Sequence, residues 1–333
     1  MNRRTLLTGS LSLWLLSMAA HGAPSMLVFA SDPQYPWTSY SDYKQDIPDK
    51  TNQQLSRELI EAQYKSIADL REAHPDQHVP VMVNGDMTAY GHGWQRDYLY
   101  RTLDAHLGGD YYFGLGNHDY QNNVDKCTNN GCARDSVFDL RDRMQNKVDS
   151  MALHIEKTGW NETWIGSLAY SKRFGNIQLI QLNNEPTYEA SFNARQGFKT
   201  YDFRIKGSLD WLEEQLRQAR ADNLTILLNM HKPNDWKTGA QDLQRFKDMI
   251  KTYEVTAVFA GHLHKYGGRY YEADHFGEVP LFLSGSASQR TYLTAEIDHE
   301  TRHLTVSRVA DNDWKNRKEL AVIPLPRHEN DLK

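Results

Sequence analysis

Residues 111–119 read Tyr-Tyr-Phe-Gly-Leu-Gly-Asn-His-Asp, an apolar run followed at once by three polar side chains. The run over 111–115 has the length and the composition of a buried strand. Gly116 then permits a tight turn and a close approach of the backbone to a ligand. Asn117, His118 and Asp119 are therefore predicted to lie directly beyond the carboxyl end of a strand.

The same arrangement recurs at four other places along the chain. In each, a short run of aliphatic and β-branched residues ends in a polar or glycine-containing turn. The runs and the segments after them are 26–30 with Ser31-Asp32-Pro33-Gln34, 79–83 with Asn84-Gly85-Asp86, 225–228 with Asn229-Met230-His231, and 255–260 with Gly261-His262-Leu263-His264. Five separate strands are thus predicted to end in side chains of the kind that bind metals.

Helical patterns lie between these strands. Apolar residues follow one helical face from Thr51, where Gln54 completes a capping box, and again after Ser208, which we interpret as an N-cap. Further helices are predicted over 94–107, 134–157 and 240–253, and further strands over 177–182, 280–283, 292–297 and 303–309. Alternating strands and helices predict a layered α/β fold. No internal repeat or break in composition divides the chain, so we expect one domain.

In a layered α/β sheet, the carboxyl ends of the strands line one edge, where ligands bind. We therefore expect the five segments to converge. They would bring together two carboxylates, three imidazoles and two amides: Asp32, Asp86, His231, His262, His264, Gln34 and Asn117. Oxygen and nitrogen ligands in this proportion suit divalent metals such as Mn, Fe, Zn or Co. A single aspartate or histidine after a strand is more often a turn former or a core residue, so this interpretation depends on all five segments together.

The composition of the 333-residue chain excludes several other classes of protein. Hydrophobic residues make up 39 % and charged residues 24 %, which excludes wholesale disorder. The formal net charge is −5, so no broad basic surface for nucleic acid is expected. No apolar run reaches the roughly 20 residues that a membrane-spanning helix needs, so no membrane span is expected.

The first 22 residues have the layout of a secretory signal peptide. Arg3 and Arg4 precede an apolar stretch over 6–20, and small residues around position 22 offer a cleavage site. We therefore expect a periplasmic or secreted protein, exported by the twin-arginine or by the general route. The alternative interpretation of this segment is a buried N-terminal helix.

The two cysteines, Cys127 and Cys132, enclose the sequence Thr-Asn-Asn-Gly. Asn-Gly is a turn signal, so the two ends can meet, and an oxidising compartment would join them in a disulfide. The alternative is a pair of free thiols. A thiolate zinc site is disfavoured because the chain has no third cysteine.

These motifs resemble those of the calcineurin-like metallophosphoesterases. The family pattern is Asp-x-His, Gly-Asp, Gly-Asn-His-Asp/Glu, a lone histidine after a strand, and Gly-His-x-His. Four of the five blocks match here, and the first departs from the pattern because Gln34 stands where most members carry histidine. The resemblance extends over about residues 26–309. It implies a two-sheet β-sandwich flanked by helices, with a single catalytic domain over 26–310 and a C-terminal tail over 311–333.

The resemblance also implies roles for the matching residues. Asp32, Gln34, Asp86 and His264 would surround one metal, and Asp86 would bridge to a second metal that Asn117, His231 and His262 complete. A hydroxide bridging the two metals would attack phosphorus. His118 would stabilise the transition state or protonate the leaving oxygen, and Asp119 would accept a hydrogen bond that orients His118. Because Gln34 offers an oxygen in place of a nitrogen, we expect Mn as the preferred metal, ahead of Fe, Zn, Co or Mg.

The function expected from these motifs is hydrolysis of phosphate mono- or diesters by an exported enzyme that acts on a small phosphorylated substrate. A second interpretation is cleavage of a pyrophosphate bond in a nucleotide derivative at the same site. A third, from another class, is a non-catalytic metal- or ligand-binding protein on this fold. Four aromatic residues follow the first motif, Tyr35, Trp37, Tyr40 and Tyr43, and either line the site or belong to the core and surface. The substrate and the oligomeric state are left open.

Overall fold

The computed structural model describes residues 25–326, and the predicted signal peptide lies outside them. The strands in this part are β1 (Met26–Ala30), β2 (Val81–Val83), β3 (Tyr111–Phe113), β4 (Ser150–Met151), β5 (His154–Thr158), β6 (Asn161–Gly166), β7 (Tyr170–Phe174), β8 (Ile177–Gln181), β9 (Ala190–Gln196), β10 (Lys199–Ile205), β11 (Thr225–Asn229), β12 (Ala257–Ala260), β13 (Gly267–Tyr270), β14 (Leu281–Ser284), β15 (Tyr292–Asp298), β16 (His303–Val309) and β17 (Lys318–Pro324). The α-helices are α1 (Ser39–Asp42), α2 (Asp49–Glu72), α3 (Gly93–Leu107), α4 (Gly131–Met144), α5 (Leu209–Ala221), α6 (Ala240–Thr252) and α7 (Ala273–Phe276).

Two mixed sheets form the centre of the fold. The first has the order β17-β16-β15-β1-β2-β3, and the second has the order β13-β14-β12-β11-β8-β7-β4. Within them, β1, β2 and β3 run parallel, as do β8, β11, β12 and β14. Five of these parallel strands, β1, β2, β3, β11 and β12, carry the predicted metal-binding segments after their carboxyl ends, so the pairing places those segments at sheet edges.

The sheets pack face to face, with helices on their outer sides. Phe29 of β1 and Phe259 of β12 are fully buried, and their rings stack with centroids 3.7 Å apart. Helices α2, α3 and α4 contribute to the same hydrophobic cluster as the first sheet, whereas α5 and α6 cover the second sheet. Burial of each large apolar side chain stabilises this arrangement by about 1.5–3 kcal/mol. The predicted two-sheet α/β sandwich is confirmed.

A third sheet was not anticipated from the sequence. It has four strands in the order β5-β6-β10-β9 and is built from two hairpins. The prediction of one helix over 134–157 is wrong, because α4 ends at Met144 and the following residues form strands β4 and β5. Turn signals at Gly159 and Gly197, both at φ +59°, mark the two hairpins and could have revealed them.

Two smaller differences concern the ends of elements. The helix predicted from Thr51 begins at Asp49, directly after Pro48, so Thr51 lies inside its first turn and caps nothing. At the other end of the chain, β17 pairs with β16 and extends the first sheet beyond residue 310. Part of the segment interpreted as a tail therefore belongs to the sheet. Among residues 25–326, no helix is long and apolar enough to cross a membrane.

Candidate metal centre

The loops after β1, β2, β3 and β12 are tied together by hydrogen bonds at one edge of the sandwich. The backbone N–H of Gln34 donates to the carbonyl oxygen of Asp86 (2.9 Å), and the backbone N–H of His118 donates to Asp86 Oδ1 (2.8 Å). The backbone N–H of His262 donates to Asp32 Oδ2 (3.0 Å). The loop after β11 joins them, because the carbonyl oxygen of His231 accepts the N–H of Gly261 (2.9 Å). Tertiary structure thus brings all five predicted segments to one place.

Two glycines permit this close approach. A Cβ atom on Gly116 would collide with the backbone and the carboxylate of Asp86, and a Cβ atom on Gly261 would collide with Ser31 and Asp32. The backbone is also strained here, since several non-glycine residues of the site have positive φ: Asp32 (50°), Gln34 (38°), Asp86 (49°) and His262 (68°). Such conformations cluster where the surrounding structure holds side chains for function.

A first cluster forms around Asp32 and His264. The Nδ1 atom of His264 donates to Asp42 Oδ1 (2.6 Å), so its Nε2 atom carries the lone pair of the neutral ring. That Nε2 atom lies 3.1 Å from Asp32 Oδ1, an acceptor. Burial lowers the pKa of His264, but the charge of Asp32 outweighs it and raises this pKa to about 10. A proton or a metal cation is needed between these two atoms.

A second cluster forms around Asp86 and His231. The Nδ1 atom of His231 donates to the carbonyl oxygen of Asn84 (2.8 Å), which leaves the lone pair of the neutral ring on Nε2. The Nε2 atom lies 3.1 Å from Asp86 Oδ2 and 3.1 Å from Asn117 Oδ1. Burial lowers the pKa of His231, but the charge of Asp86 raises it to about 9. In the same cluster, burial and the charge of His231 lower the pKa of His262 to about 4.

The donor set fits two divalent cations. Asp32 Oδ1, Asp86 Oδ2 and both polar side-chain atoms of Gln34 are buried and have no hydrogen-bond partner in the described part of the chain. Buried polar atoms are normally satisfied, so the three oxygens among these atoms could serve as ligands of a bound ion. Two groups of side chains each have potential ligand atoms that all lie within 4.8 Å of one another. The first group is Asp32, Asp86 and His264, and the second is Asp86, His231 and His262. Asp86 belongs to both groups, as a bridging carboxylate would.

His118 lies beside this centre, held by the backbone. Its Nδ1 atom donates to the carbonyl oxygen of Ala89 (2.8 Å), so the lone pair of the neutral ring is on Nε2. Its own carbonyl oxygen accepts a hydrogen bond from Asn123 Nδ2 (2.6 Å). The backbone, rather than a carboxylate, orients the imidazole.

The expectation that Asp119 orients His118 is therefore wrong. Asp119 is buried, and its carboxylate accepts hydrogen bonds from three backbone N–H groups, those of Gly116 (2.9 Å), Met87 (3.1 Å) and Thr88 (3.2 Å). Burial and the nearby charge of Asp86 raise the pKa of Asp119 to about 7. Asp119 joins the loops after β2 and β3 and in this way positions their ligands.

Asp42 is a site residue that the sequence did not reveal. Its carboxylate accepts hydrogen bonds from four side-chain donors, His264 Nδ1 (2.6 Å), Trp37 Nε1 (2.7 Å), Ser288 Oγ (2.5 Å) and Gln289 Nε2 (2.7 Å). Burial raises the pKa of Asp42, but hydrogen bonding with His264 and the other donors lowers it below its ordinary value. A carboxylate behind a ligand histidine fixes the orientation of the ring and raises its basicity.

The four aromatic residues after the first motif have different roles. The Trp37 ring lies across the centre, with its centroid 5.5 Å from that of His118 and 5.9 Å from that of His264. Tyr35 is fully buried in the core, whereas Tyr40 and Tyr43 are exposed. Trp37 also lines a groove of about 590 Å³, whose other lining residues include Tyr90 and Trp94.

The Cys127–Cys132 disulfide is present, with the two Cα atoms 5.7 Å apart. Cys132 Sγ lies 3.5 Å from Nδ1 of His92, which lines the same groove. The segment between His118 and the disulfide includes Asn123, whose amide also donates to the carbonyl oxygen of Asp119 (3.0 Å). The disulfide therefore closes a loop over residues 127–132 that lies against His92 and directly follows the segment that contacts His118 and Asp119.

Comparison with solved structures returns proteins of low sequence identity. A sulfate thiohydrolase SoxB from Thermus thermophilus has a TM-score of 0.44 and 13 % identity, and the match covers 90 % of this chain but 58 % of that one. A predicted phosphoesterase from Streptococcus pneumoniae has a TM-score of 0.35 and 11 % identity, with coverage of 89 % and 96 %. A protein serine/threonine phosphatase from Saccharomyces cerevisiae, described as similar to human phosphatase PP5, has a TM-score of 0.32 and 12 % identity, with coverage of 92 % and 82 %.

A search of curated proteins found no match. The family model of the calcineurin-like phosphoesterases matches residues 27–266, which begins in β1 and ends just after the Gly-His-x-His motif. This range includes every residue of the two clusters described above. Since the match spans well over half of the chain, the protein belongs to the calcineurin-like phosphoesterase family.

Proposed function

We propose that this protein is an exported, metal-dependent hydrolase of phosphate mono- or diesters that uses two divalent cations. The observation that carries the proposal is the pair of buried carboxylate oxygens, Asp32 Oδ1 and Asp86 Oδ2, each 3.1 Å from the Nε2 atom of a histidine. Both histidines donate through Nδ1, so lone pairs face one another unless a proton or a metal cation lies between them. Two such buried carboxylate–histidine pairs at neighbouring places supply the kind of ligands that two cations need.

The two clusters divide the ligands between the cations. Asp32, Gln34 and His264 would hold one, Asn117, His231 and His262 would hold the other, and Asp86 would contact both. Bound there, the cations would supply Lewis acidity toward phosphate oxygens and lower the pKa of water. We propose Mn as the preferred metal, because the Gln34 amide makes the first site richer in oxygen ligands.

His118 would act at the leaving group. Its Nδ1 proton is committed to Ala89, so the imidazolium form would donate its Nε2 proton to the departing oxygen. The carbonyl contact also prevents the ring from rotating, which keeps Nε2 in one orientation. Trp37 packs edge-on against the His118 ring and would exclude water from one side of the reacting group.

A second candidate function is hydrolysis of a pyrophosphate bond in a nucleotide derivative. The observation that favours it is the groove that Trp37 lines, since Tyr90 and Trp94 in its wall remain about half exposed. Exposed aromatic faces beside a phosphate site can stack on a nucleobase. The two candidates share the same metal ligands and differ in the leaving group.

The test combines metal analysis with a panel of substrates. Purified protein, stripped and reloaded with each metal in turn, is assayed on an aryl phosphomonoester, an aryl phosphodiester and a nucleotide pyrophosphate. We expect two metals per chain and turnover with Mn. Asp86→Asn should lose metal binding and turnover, whereas the control Asp210→Asn, whose side chain is 93 % exposed, should retain metal binding and turnover. Two bound metals with no turnover of any substrate would instead indicate a non-catalytic binding protein. Turnover by Asp86→Asn with its metals retained would end the proposal of a binuclear centre.

A further inference from the structure

The four-stranded sheet ends in two hairpin tips, each with an exposed aromatic side chain. The turn between β5 and β6 contains Gly159-Trp160, and the turn between β9 and β10 contains Gly197-Phe198. Trp160 is 68 % exposed and Phe198 is 91 % exposed. Single exposed apolar side chains are common on protein surfaces, but two large ones at neighbouring hairpin tips can mark an interaction site.

The two tips lie side by side at the same edge of the sheet. Strands β6 and β10 are parallel neighbours, with Asn161 opposite Thr200. The backbone N–H of Thr200 donates to the carbonyl oxygen of Trp160 (3.1 Å), which ties the two turns together. Trp160 and Phe198 therefore both stand at one end of the sheet, and we call these two residues the aromatic edge.

A rigid sheet supports the aromatic edge. Below the tips, Phe192 and Phe203 stack with centroids 4.7 Å apart, and Trp164 lies 4.9 Å from Phe138 of α4. The two tip glycines have no neighbouring atoms within 4 Å of where a Cβ would be, so the turns face open space. The packed aromatic residues below them therefore hold the two tips in place, and the tips themselves are accessible to a lipid or protein surface.

The charges around the aromatic edge are mostly positive. Within three residues of either ring lie the cations Lys157, Arg195 and Lys199 and one carboxylate, Glu162, which gives a local charge of +2. Glu162 lies between two of the cations, 3.4 Å from Lys157 Nζ and 3.9 Å from Lys199 Nζ. The whole chain has a formal net charge of −5, and carboxylates return four residues from each ring, at Glu156 and Asp202, so the positive charge is confined to the tips themselves.

We propose that the aromatic edge docks the protein on the surface of an anionic lipid bilayer. Tryptophan and phenylalanine favour the boundary between headgroups and acyl chains, and lysine and arginine beside them attract anionic headgroups. The shape favours lipid over a second protein, because two protruding rings do not offer the roughly 800 Å² per partner of a stable protein interface. The proposal does not depend on the identity of the enzyme's substrate.

The test measures binding to vesicles with protein recovered after export and with its N-terminus determined by mass spectrometry. Wild type is sedimented with vesicles of phosphatidylglycerol and phosphatidylcholine in equal parts, or of phosphatidylcholine alone, at low and high salt. The double variant Trp160→Ser with Phe198→Ser is compared with Tyr271→Ser, which removes an 81 %-exposed aromatic ring outside this sheet. The exchange Trp160→Phe with Phe198→Trp keeps both rings, and circular dichroism and thermal unfolding confirm that each variant folds.

We expect wild type to bind the anionic vesicles in a salt-sensitive way and the double variant to bind roughly tenfold or more weakly, as loss of two buried rings requires. Tyr271→Ser and the ring exchange should bind like wild type. Absence of wild-type binding, or equal binding by the double variant, would overturn the proposal. A concentration-dependent dimer of wild type that the double variant abolishes, without vesicle binding, would assign the edge to a second copy of the chain.

Discussion

Replacing Asp42 by asparagine tests how the fold supports the candidate metal centre. The variant keeps the volume of the side chain but offers one acceptor oxygen where the carboxylate serves four donors at 2.5–2.7 Å. If the new amide nitrogen replaces Oδ2, its N–H₂ group would lie against two other donors, Ser288 Oγ and Gln289 Nε2, and would lose both hydrogen bonds. The neutral side chain would also hold the His264 ring less firmly and leave its Nε2 atom less basic.

The expected effect is on one cation of the two. Loss of a carboxylate behind a ligand histidine typically weakens metal binding by about 10- to 100-fold, or roughly 1.4–2.7 kcal/mol. Asp42 hydrogen-bonds to His264, whereas the partners of His231 are Asn84, Asp86 and Asn117. The cation near Asp32 and His264 should therefore be released more readily, while the other stays bound.

The assay is a competition titration with a chelator of known affinity, followed by metal analysis of the protein. Asp46→Asn is the matched control, because it removes an exposed carboxylate from the same segment. Two binding constants are fitted for each protein, and thermal unfolding without metal reports any general loss of stability. Unchanged constants in Asp42→Asn, or an equal loss at both sites in a destabilised protein, would refute this reasoning.

Three further results are expected. His118→Ala should retain both metals and slow turnover by roughly 100-fold or more, with a smaller loss for substrates that have good leaving groups; a collapse in metal content would show that His118 is a ligand. Gln34→His should bind the first cation more tightly and shift the activity ranking from Mn toward Zn or Fe; an identical ranking in reloaded proteins would show that Gln34 binds no metal. Protein recovered from periplasm or culture medium should contain no thiol that a labelling reagent detects, and labelling of both Cys127 and Cys132 under native, non-reducing conditions would contradict export through an oxidising compartment.

The elements that could be predicted are those whose signals are local. Buried parallel strands such as β1, β11 and β12 are continuous apolar runs, and nearby polar or glycine-containing turns mark their ends. The prediction of a helix over 134–157 was wrong because the strands in this region have weak local signals. Strand β5 carries three titratable side chains, His154, Glu156 and Lys157, and little apolar pattern, and it exists because it pairs with β6 across a two-residue turn. Pairing partners override weak local preference in such strands.

By itself, the sequence determined which side chains the centre has available and which loops carry them. It did so because a ligand after a strand and a glycine beside it are short-range patterns that a chain must contain to build such a site. Only the tertiary structure decided what holds those ligands. Asp42 and His264 are 222 residues apart in the sequence, and Asp119 turned out to bind backbone N–H groups of two loops rather than the adjacent His118. Hydrogen bonds between distant segments depend on how the sheets pack, and no spacing along the chain encodes that distance.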